Sequence, residues 1–213
     1  MKISEIFFSI QGEGMEIGLP TVFVRLFACD LRCTWCDSMY AVEGNDFKEM
    51  STDEVEREIE VHKCRRVCFT GGEPLIQKKE LVKLANTLIN KGYKIVLETS
   101  GHRDPPQIFW TENCLISMDC KCPSSTMEEK MDYSLFEKLR PKDQLKFVIK
   151  DETDYAYAKE IINKLRINAT IIFQPVYGTN LRWLAEKVIQ DKLGSVRVLP
   201  QLHKIIWGDI RGV

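Results

Sequence analysis

Residues 67–97 read VCFTGGEPLIQKKELVKLANTLINKGYKIVL. The apolar runs Val67–Phe69 and Ile95–Leu97, at the two ends of this stretch, are typical of strands buried on both faces of a parallel sheet. Between them apolar residues recur with the helical period of i, i+3, i+4, i+7 and i+8. These residues are Leu81, Leu84, Ala85, Leu88 and Ile89. Gly92 follows where a glycine commonly ends a helix, so the stretch predicts one parallel β-α-β unit.

The same alternation of short apolar runs and helical stripes continues on both sides of this unit. Strands are predicted at residues 22–27, 67–69, 95–97, 115–118, 145–149, 171–173 and 196–199. A capping box at Ser51 and Glu54 starts one helix, and apolar stripes predict two more from Ala158 to Leu165 and from Leu181 to Ile189. We predict a single α/β domain over residues 1–213, with mostly parallel strands in a partial (β/α)6-type, TIM-like barrel. A full barrel usually needs ~250 residues. An open doubly wound sheet is the alternative.

Composition excludes several classes of protein. The chain has 30 Lys plus Arg and 31 Asp plus Glu, a net charge of −1, so it has no basic footprint for nucleic acid. The sequence contains no run of 18 apolar residues, so no membrane span is predicted. The charged start Met1–Glu5 does not resemble a signal peptide. We therefore expect a cytosolic protein. Its eight cysteines are then not expected to form disulfides, and Cys64, Cys68 and Cys114 are interpreted as core or boundary thiols.

Polar and glycine-rich loops follow the predicted strands. In parallel α/β folds the functional residues sit on loops at the carboxyl ends of strands. The loops are Cys29–Cys36, Thr70–Pro74, Glu98–Gly101, Asp119–Ser125, Gln174–Val176 and Pro200–Lys204. The sequence thus places its unusual residues together at one end of the sheet.

Three cysteines stand close together in the first loop: Cys29, Cys33 and Cys36. Three thiolates at this spacing can bind one soft metal centre. Structural zinc takes four closed ligands, and no fourth Cys or His is near in the sequence. Four-iron clusters are held by cysteine thiolates, and three ligands leave one iron open for a small molecule. The spacing favours a [4Fe–4S] cluster and leaves a zinc site or three unrelated buried thiols as alternatives.

Two motifs resemble the radical S-adenosylmethionine superfamily. The first is Cys-x3-Cys-x2-Cys with Trp35 before the last cysteine, and the second is Gly71–Pro74, in the same order and each after a strand. The resemblance implies that Cys29, Cys33 and Cys36 bind a [4Fe–4S] cluster and that S-adenosylmethionine is a cofactor. Further segments resemble the 7-carboxy-7-deazaguanine synthase family over nearly the whole chain. They are residues 8–14, 36–38, 121–125 and 200–204.

The family resemblance implies a ring contraction. Its members are lyases that convert 6-carboxy-5,6,7,8-tetrahydropterin to 7-carboxy-7-deazaguanine and release ammonia, on the route to queuosine and other 7-deazapurines. A 5′-deoxyadenosyl radical takes a hydrogen from the substrate and later regains it. The resemblance also implies a flavodoxin or ferredoxin-type electron donor, Mg²⁺ and a homodimer. The rivals are a glycyl-radical-enzyme activase, which would not need residues 11–14 or 200–204, and a non-catalytic zinc-binding module.

The resemblance assigns roles to individual residues. The implied cofactor contacts are Trp35, Cys36, Asp37, Gly72, Glu73, Ser100, Asp119, Cys120, Lys121 and Gln174. The implied substrate contacts are Ile10, Gln11, Gly12, Glu13, Arg25, Thr70, His203 and Val213. Ser38 stands where the family often has a threonine that binds Mg²⁺, so the hydroxyl is retained.

Arg25 also attracts interest on physical grounds. It interrupts the apolar strand at residues 22–27, and a buried charge needs a partner. A guanidinium can pair with the substrate carboxylate in a bidentate geometry. The alternative is an internal salt bridge with Glu13 or Glu98.

Overall fold

Nine strands form one sheet in the computed structural model, which describes residues 1–213. The strands are β1 Lys2–Ile10, β2 Pro20–Leu26, β3 Lys48–Glu49, β4 Arg66–Gly71, β5 Lys94–Ser100, β6 Cys114–Cys120, β7 Gln144–Ile149, β8 Thr170–Pro175 and β9 Val196–Val198. The helices are α1 Thr52–Val61, α2 Lys78–Asn90, α3 Tyr133–Lys138, α4 Glu152–Lys164, α5 Leu181–Gln190 and α6 Leu202–Trp207. All seven strands predicted from apolar runs are present as β2 and β4 to β9.

The order of strands in the sheet is β3-β1-β2-β4-β5-β6-β7-β8-β9. From β2 to β9 along the sheet every neighbouring pair is parallel, and apart from the short edge strand β3 each new strand is added one place farther in the same direction. Right-handed crossovers that never reverse direction put the helices on one face and leave the other face to enclose an interior. A doubly wound sheet needs a reversal of order, so the partial-barrel prediction is confirmed and the alternative is wrong. The edge strands β3 and β9 do not pair, and the sheet is not closed.

Strand β1 was not predicted. It pairs antiparallel with β2, which places Glu5 opposite Arg25 and Phe7 opposite Phe23. A buried parallel strand is continuously apolar, but β1 is interrupted by polar residues and its register shifts between Ile3 and Glu5. Its pattern therefore does not resemble that of the strands that were recognised.

The helix ends largely follow the sequence signals. The Ser51 hydroxyl accepts a hydrogen bond from the Glu54 amide, and the Glu54 carboxylate accepts one from the Ser51 amide, so the capping box is confirmed. Gly92 has φ +80° just after α2, as expected of a helix-ending glycine. Ile189 was expected in the buried stripe of α5 but is 74% exposed, because it lies about 100° around the helix from buried Val188.

Most of the buried apolar residues belong to one of two clusters. A large cluster of 38 residues packs the helices against the sheet. A small one of three residues, Phe23, Cys68 and Val96, has Phe7 and Leu115 packed against it, and Phe7 stacks on Phe23 with ring centroids 4.9 Å apart. Phe7 and Phe23 belong to the wall of the cavity described below. None of the helices is long and apolar enough to cross a bilayer.

Candidate active site

A cavity of about 770 Å³ opens where the parallel strands end. Its wall is made by the loops after these strands, by β1 and by the C-terminal segment. Cavities of this size are typical of small-molecule sites. The predicted site residues that line it are Ile10, Gln11, Gly12, Glu13, Arg25, Cys29, Cys33, Trp35, Cys36, Asp37, Ser38, Thr70, Gly72, Ser100, Asp119, Lys121, Gln174, His203 and Val213.

Two predicted cofactor contacts, Glu73 and Cys120, do not line the cavity. Cys120 is 1% exposed in the main core, where burial raises the pKa of its thiol to about 12. The Glu73 carboxylate is 1% exposed and accepts hydrogen bonds from the Thr99 hydroxyl and from the Ser100 amide and hydroxyl, at 2.6–2.9 Å. Neither residue is part of the cavity wall, and a contact of Glu73 or Cys120 with the cofactor stays a prediction.

The glycine pair brings the two superfamily-like motifs into contact. Gly71 has φ +141°, and a Cβ there would collide with the backbone of Leu26. A Cβ on Gly72 would collide with the carbonyl oxygen of Ala28. The amides of Gly72 and Glu73 donate to the carbonyl oxygens of Leu26 and Ala28 at 3.0 and 2.8 Å. Only glycine lets the loop after β4 lie directly against the start of the cysteine loop.

The cysteine loop is held from the other side by a short 3-10 turn at Pro123–Ser125. The Thr34 amide donates to the Ser125 carbonyl at 3.2 Å, and the Trp35 indole N–H donates to the Ser124 hydroxyl at 3.0 Å. The Trp35 ring also lies 5.5 Å from the Lys121 ammonium. These contacts explain why a tryptophan stands in a loop that is otherwise polar.

Cys29, Cys33 and Cys36 are half-buried in the cavity wall. Burial raises the pKa of Cys29 to about 11 and also raises that of Cys33. No three His, Cys, Asp or Glu side chains are grouped closely enough to hold a single metal ion. This arrangement does not provide the closed tetrahedral ligand set of a structural zinc. The three thiols line the cavity as a set of cysteine ligands, which is the donor set of a four-iron cluster with one iron left open for a small molecule.

Arg25 has an internal partner, but neither of the predicted ones. Its Nε donates to the Glu5 carboxylate at 2.7 Å, so the predicted bridge to Glu13 or Glu98 is wrong. Glu5 is the cross-strand neighbour of Arg25 on β1, the strand that the sequence did not reveal. The Tyr40 hydroxyl donates to the same carboxylate at 2.7 Å. The two terminal nitrogens of Arg25 donate no hydrogen bond within the protein, and the residue lines the cavity, where an anion can reach it.

Lys146 is a site residue that the sequence did not single out. It is 5% exposed on β7, contacts the Glu13 carboxylate and lies 3.3 Å from Asp119. Burial alone lowers the pKa of Lys146, but the attraction of Asp119, Glu13 and Glu98 outweighs it and raises that pKa well above its usual value. A lysine within the apolar run at 145–149 is the same signal that drew attention to Arg25.

Glu13 is charged for the corresponding reason. Burial alone raises the pKa of its carboxyl group. The attraction of Lys146 and His203, with hydrogen bonds from Lys146 and Gln201, outweighs burial and holds that pKa well below its usual range. The Gln201 amide donates to Glu13 at 2.9 Å. A fixed negative charge therefore stands in the cavity.

Gln174 carries unsatisfied polar atoms in the cavity wall. It is fully buried, and neither the oxygen nor the nitrogen of its amide has a hydrogen-bond partner. A buried amide without partners costs about 1–3 kcal/mol. A polar ligand in the cavity would remove this cost, which fits the predicted cofactor contact.

The C-terminal segment spans the gap between β9 and β1. The Leu202 amide donates to the Gly12 carbonyl at 2.8 Å, and a Cβ on Gly12 would collide with the His203 ring. Farther along, Arg211 lies over the Tyr40 ring at 3.9 Å and pairs with Glu5 at 3.2 Å. The segment thus closes the open side of the barrel.

Comparison with known proteins agrees with this site. Residues 24–109 match the Radical SAM superfamily. The chain is 38% identical to the 7-carboxy-7-deazaguanine synthase of Thermoplasma acidophilum over 213 residues, which is 100% of both chains. It is 39% identical over 206 residues to that of Methanospirillum hungatei, covering 97% of this chain and 85% of the other. The crystal structure of QueE from Escherichia coli has the same fold, with a TM-score of 0.78 and 24% identity over 95% of this chain and 94% of that one.

Proposed function

The chain belongs to the 7-carboxy-7-deazaguanine synthase family of radical S-adenosylmethionine enzymes, and we propose that it converts 6-carboxy-5,6,7,8-tetrahydropterin to 7-carboxy-7-deazaguanine with release of ammonia. One observation carries the proposal: the cysteine loop, all the residues implied for the substrate and all but two of those implied for the cofactor line one cavity. A glycyl-radical-enzyme activase would not need Gln11, Glu13 or Gln201 at this cavity, and a zinc module would not need the cavity at all.

Cys29, Cys33 and Cys36 would hold the [4Fe–4S] cluster, with S-adenosylmethionine beside it. When bound, the two supply the radical that abstracts a hydrogen from the substrate. The protein orients the reacting groups and excludes water. Asp119, Lys121, Ser100 and Trp35 face the same part of the cavity as the cysteines, and Gln174 offers free amide atoms for hydrogen bonds. The side chains of Glu73 and Cys120 support this region from behind.

Arg25 would bind the substrate carboxylate through its two free terminal nitrogens. A bidentate pair between guanidinium and carboxylate fixes orientation as well as charge. Gln11, Glu13, Thr70 and His203 stand in the wall around it, with Ile10 and Gly12 beside them and Val213 at the end of the covering segment.

Ser38 would provide one ligand for Mg²⁺. It is 8% exposed, lines the cavity and has its hydroxyl oxygen 3.8 Å from the Cys36 sulfur. Magnesium commonly takes only one or two protein ligands, with water and substrate oxygens completing its shell. Ser38→Ala should raise the Mg²⁺ concentration needed for half-maximal turnover. Asp37, which lines the same wall, offers a carboxylate nearby.

Further expectations concern the whole protein. One sheet and one main core run from Ile3 to Val188, which supports a single domain over residues 1–213. A homodimer, a flavodoxin or ferredoxin-type electron donor and a cytosolic location stay predictions. Sedimentation of the purified protein measures its oligomeric state, and reduction of the cluster by each donor protein identifies the electron donor.

The proposed reaction can be tested directly. Anaerobically reconstituted protein is given S-adenosylmethionine, a reductant and the carboxytetrahydropterin, and the products are identified by mass spectrometry. We expect 7-carboxy-7-deazaguanine and one equivalent of ammonia. Cofactor cleavage without any deazaguanine product would contradict the proposed substrate but not the radical chemistry. A protein that takes up zinc and no iron would contradict both.

A further inference from the structure

We infer that Lys146 is a positioning residue that couples the binding of the substrate to the binding of S-adenosylmethionine. The inference rests on the proposed function, since it assumes these two ligands. Lys146 stands between Glu13, implied for the substrate, and Asp119, implied for the cofactor. It is the residue that joins these two carboxylates by ion pairs.

The contacts of Lys146 extend to both ends of the cavity. On one side Glu13 accepts a hydrogen bond from Gln201 of the C-terminal segment at 2.9 Å. On the other side Asp119 pairs with Lys121 at 2.8 Å, and Lys121 lies over Trp35 of the cysteine loop at 5.5 Å. The lysine thus lies at the centre of a continuous set of charged contacts across the site.

Stability alone does not account for a lysine at this position. The neighbouring strand positions, Leu145 and Phe147, are fully buried and apolar. Replacing a buried ion pair by well-packed apolar residues is often neutral or stabilising, so a buried charged set is weak evidence for a stabilising role. A role in function is better supported, because Lys146 lines the cavity and both of its partners do too.

Coupling follows from ordering. A substrate that fixes Glu13 also fixes the ammonium of Lys146, and the ammonium in turn fixes Asp119 on the cofactor side. The second ligand then meets a site that is already ordered and loses less conformational entropy on binding. Coupling is reciprocal, so each ligand should tighten the binding of the other by the same factor.

The test measures binding rather than turnover. Dissociation constants for S-adenosylmethionine are determined by calorimetry on the anaerobic holoenzyme, with and without the carboxytetrahydropterin, and then with the order reversed. We expect a coupling factor of about tenfold in the unchanged protein. In Lys146→Met the factor should fall to about one, even where the individual dissociation constants change. An undiminished factor in Lys146→Met, or no coupling in the unchanged protein, would overturn the inference.

Two further variants make the outcome decisive. Lys159→Met removes a lysine that pairs with Asp191 at 2.5 Å outside the cavity, and it should keep the full coupling factor. If Lys146→Met does not fold, Lys146→Gln replaces it, since glutamine still donates to a carboxylate but carries no charge; its factor should also fall. Failure of the pterin to bind the unchanged protein would instead contradict the proposed function.

Discussion

The guanidinium of Arg25 divides its donors between the protein and the cavity. Its Nε donates a hydrogen bond to the Glu5 carboxylate at 2.7 Å, and its two terminal nitrogens have no hydrogen-bond partner in the protein. An internal salt bridge is present, with Glu5 as its partner, and it positions a guanidinium that can still bind an anion; the pairing with the substrate carboxylate stays a prediction. Glu5 itself is held by Tyr40 and Arg211, so the arginine has a fixed direction.

Arg25→Met should retain the fold, the cluster and slow uncoupled cleavage of S-adenosylmethionine, since these do not need the substrate carboxylate. Turnover should fall by about 30-fold or more, because a buried bidentate charge contact is worth about 2–5 kcal/mol. Arg25→Lys should restore little, since lysine lacks the planar fork. Product yield, uncoupled cleavage and melting temperature are measured on each variant.

Glu5→Gln provides the matched control for this prediction. It removes the negative charge of the internal partner of Arg25 but keeps the arginine charge, and the glutamine oxygen can still accept a hydrogen bond from Arg25. We expect a smaller loss of turnover than in Arg25→Met. If Arg25→Met has both a lower melting temperature and weaker cofactor binding, the role of Arg25 is purely structural. Unchanged turnover would contradict any role.

Replacement of a single cysteine tests the cluster ligands. Cys33→Ala should lower the bound iron from about four per chain and abolish cleavage of S-adenosylmethionine, because a cluster with two protein ligands is poorly held. Cys68→Ala is the control, since Cys68 is fully buried and burial raises the pKa of its thiol well above the usual value. Iron and sulfide analysis measures the amount of cluster bound per chain in both variants. Full iron and activity in Cys33→Ala would reject the assignment.

At the scale of elements, helix α4 supports the cysteine loop through an intermediate turn. Asp154 of α4 is fully buried and accepts hydrogen bonds from the Ser124 amide at 2.8 Å and from the Ser124 hydroxyl. The same Ser124 hydroxyl accepts from the Trp35 indole at 3.0 Å. A helix that does not line the cavity therefore determines where Trp35 stands.

Ser124→Ala should raise KM for S-adenosylmethionine by about fivefold to tenfold, because it removes the hydrogen bond that positions Trp35, worth about 1 kcal/mol. It also removes the hydroxyl bond to buried Asp154, so a moderate fall in melting temperature should accompany the change in KM. Steady-state kinetics and thermal melting measure the two effects.

Asp151→Ala serves as the control for Ser124→Ala, since Asp151 caps the same helix and does not touch the turn. It should cost about 1 kcal/mol of stability and leave KM unchanged. An equal rise of KM in both variants would indicate that helix stability, and not the contact with Trp35, controls the site.

At the scale of the whole molecule, one end of the barrel carries the site and the other end contributes to stability. The cavity lies at the carboxyl ends of the strands, and a structural ion pair lies at the amino ends. There Asp143, fully buried, accepts from Arg140 at 2.7 Å and from the Ile116 amide at 2.9 Å. Arg140 also donates to three backbone carbonyl oxygens around it.

Asp143→Ala should lower the free energy of unfolding by roughly 3 kcal/mol, because Arg140 and the Ile116 amide lose a buried partner. It should leave the dissociation constant of S-adenosylmethionine unchanged where the protein is still folded, since the pair lies at the opposite end of the strands from the cavity. Urea denaturation and calorimetry are the measurements.

The exposed pair of Arg182 and Glu186 supplies the comparison for Asp143→Ala. Removing it should change stability by only about 0.3–0.5 kcal/mol. A weaker cofactor affinity in folded Asp143→Ala would show that the two ends of the barrel are energetically linked.

Much of the fold could be predicted from the sequence. Seven strands were recognised because a strand buried on both faces is apolar along its own length. The helix cap at Ser51 was recognised because its partner, Glu54, is three residues away in the sequence. The loops that line the cavity could be predicted because each one directly follows a strand that was recognised. Strand β1 was missed, because an antiparallel strand at the side of the barrel mixes polar and apolar residues.

The sequence by itself determined the features that depend on near neighbours: apolar runs, helix caps, the cysteine spacing and the glycine pair. Tertiary structure alone decided the partners of buried charges, because strand register brings distant residues together. Arg25 meets Glu5 across 20 positions of sequence, and Lys146 meets Glu13 across 133. It also left the side chains of Glu73 and Cys120 out of the cavity wall, since a residue at or just after the end of a strand can point to either side. Charge pairing in a low-dielectric interior acts through space, and no local pattern records it.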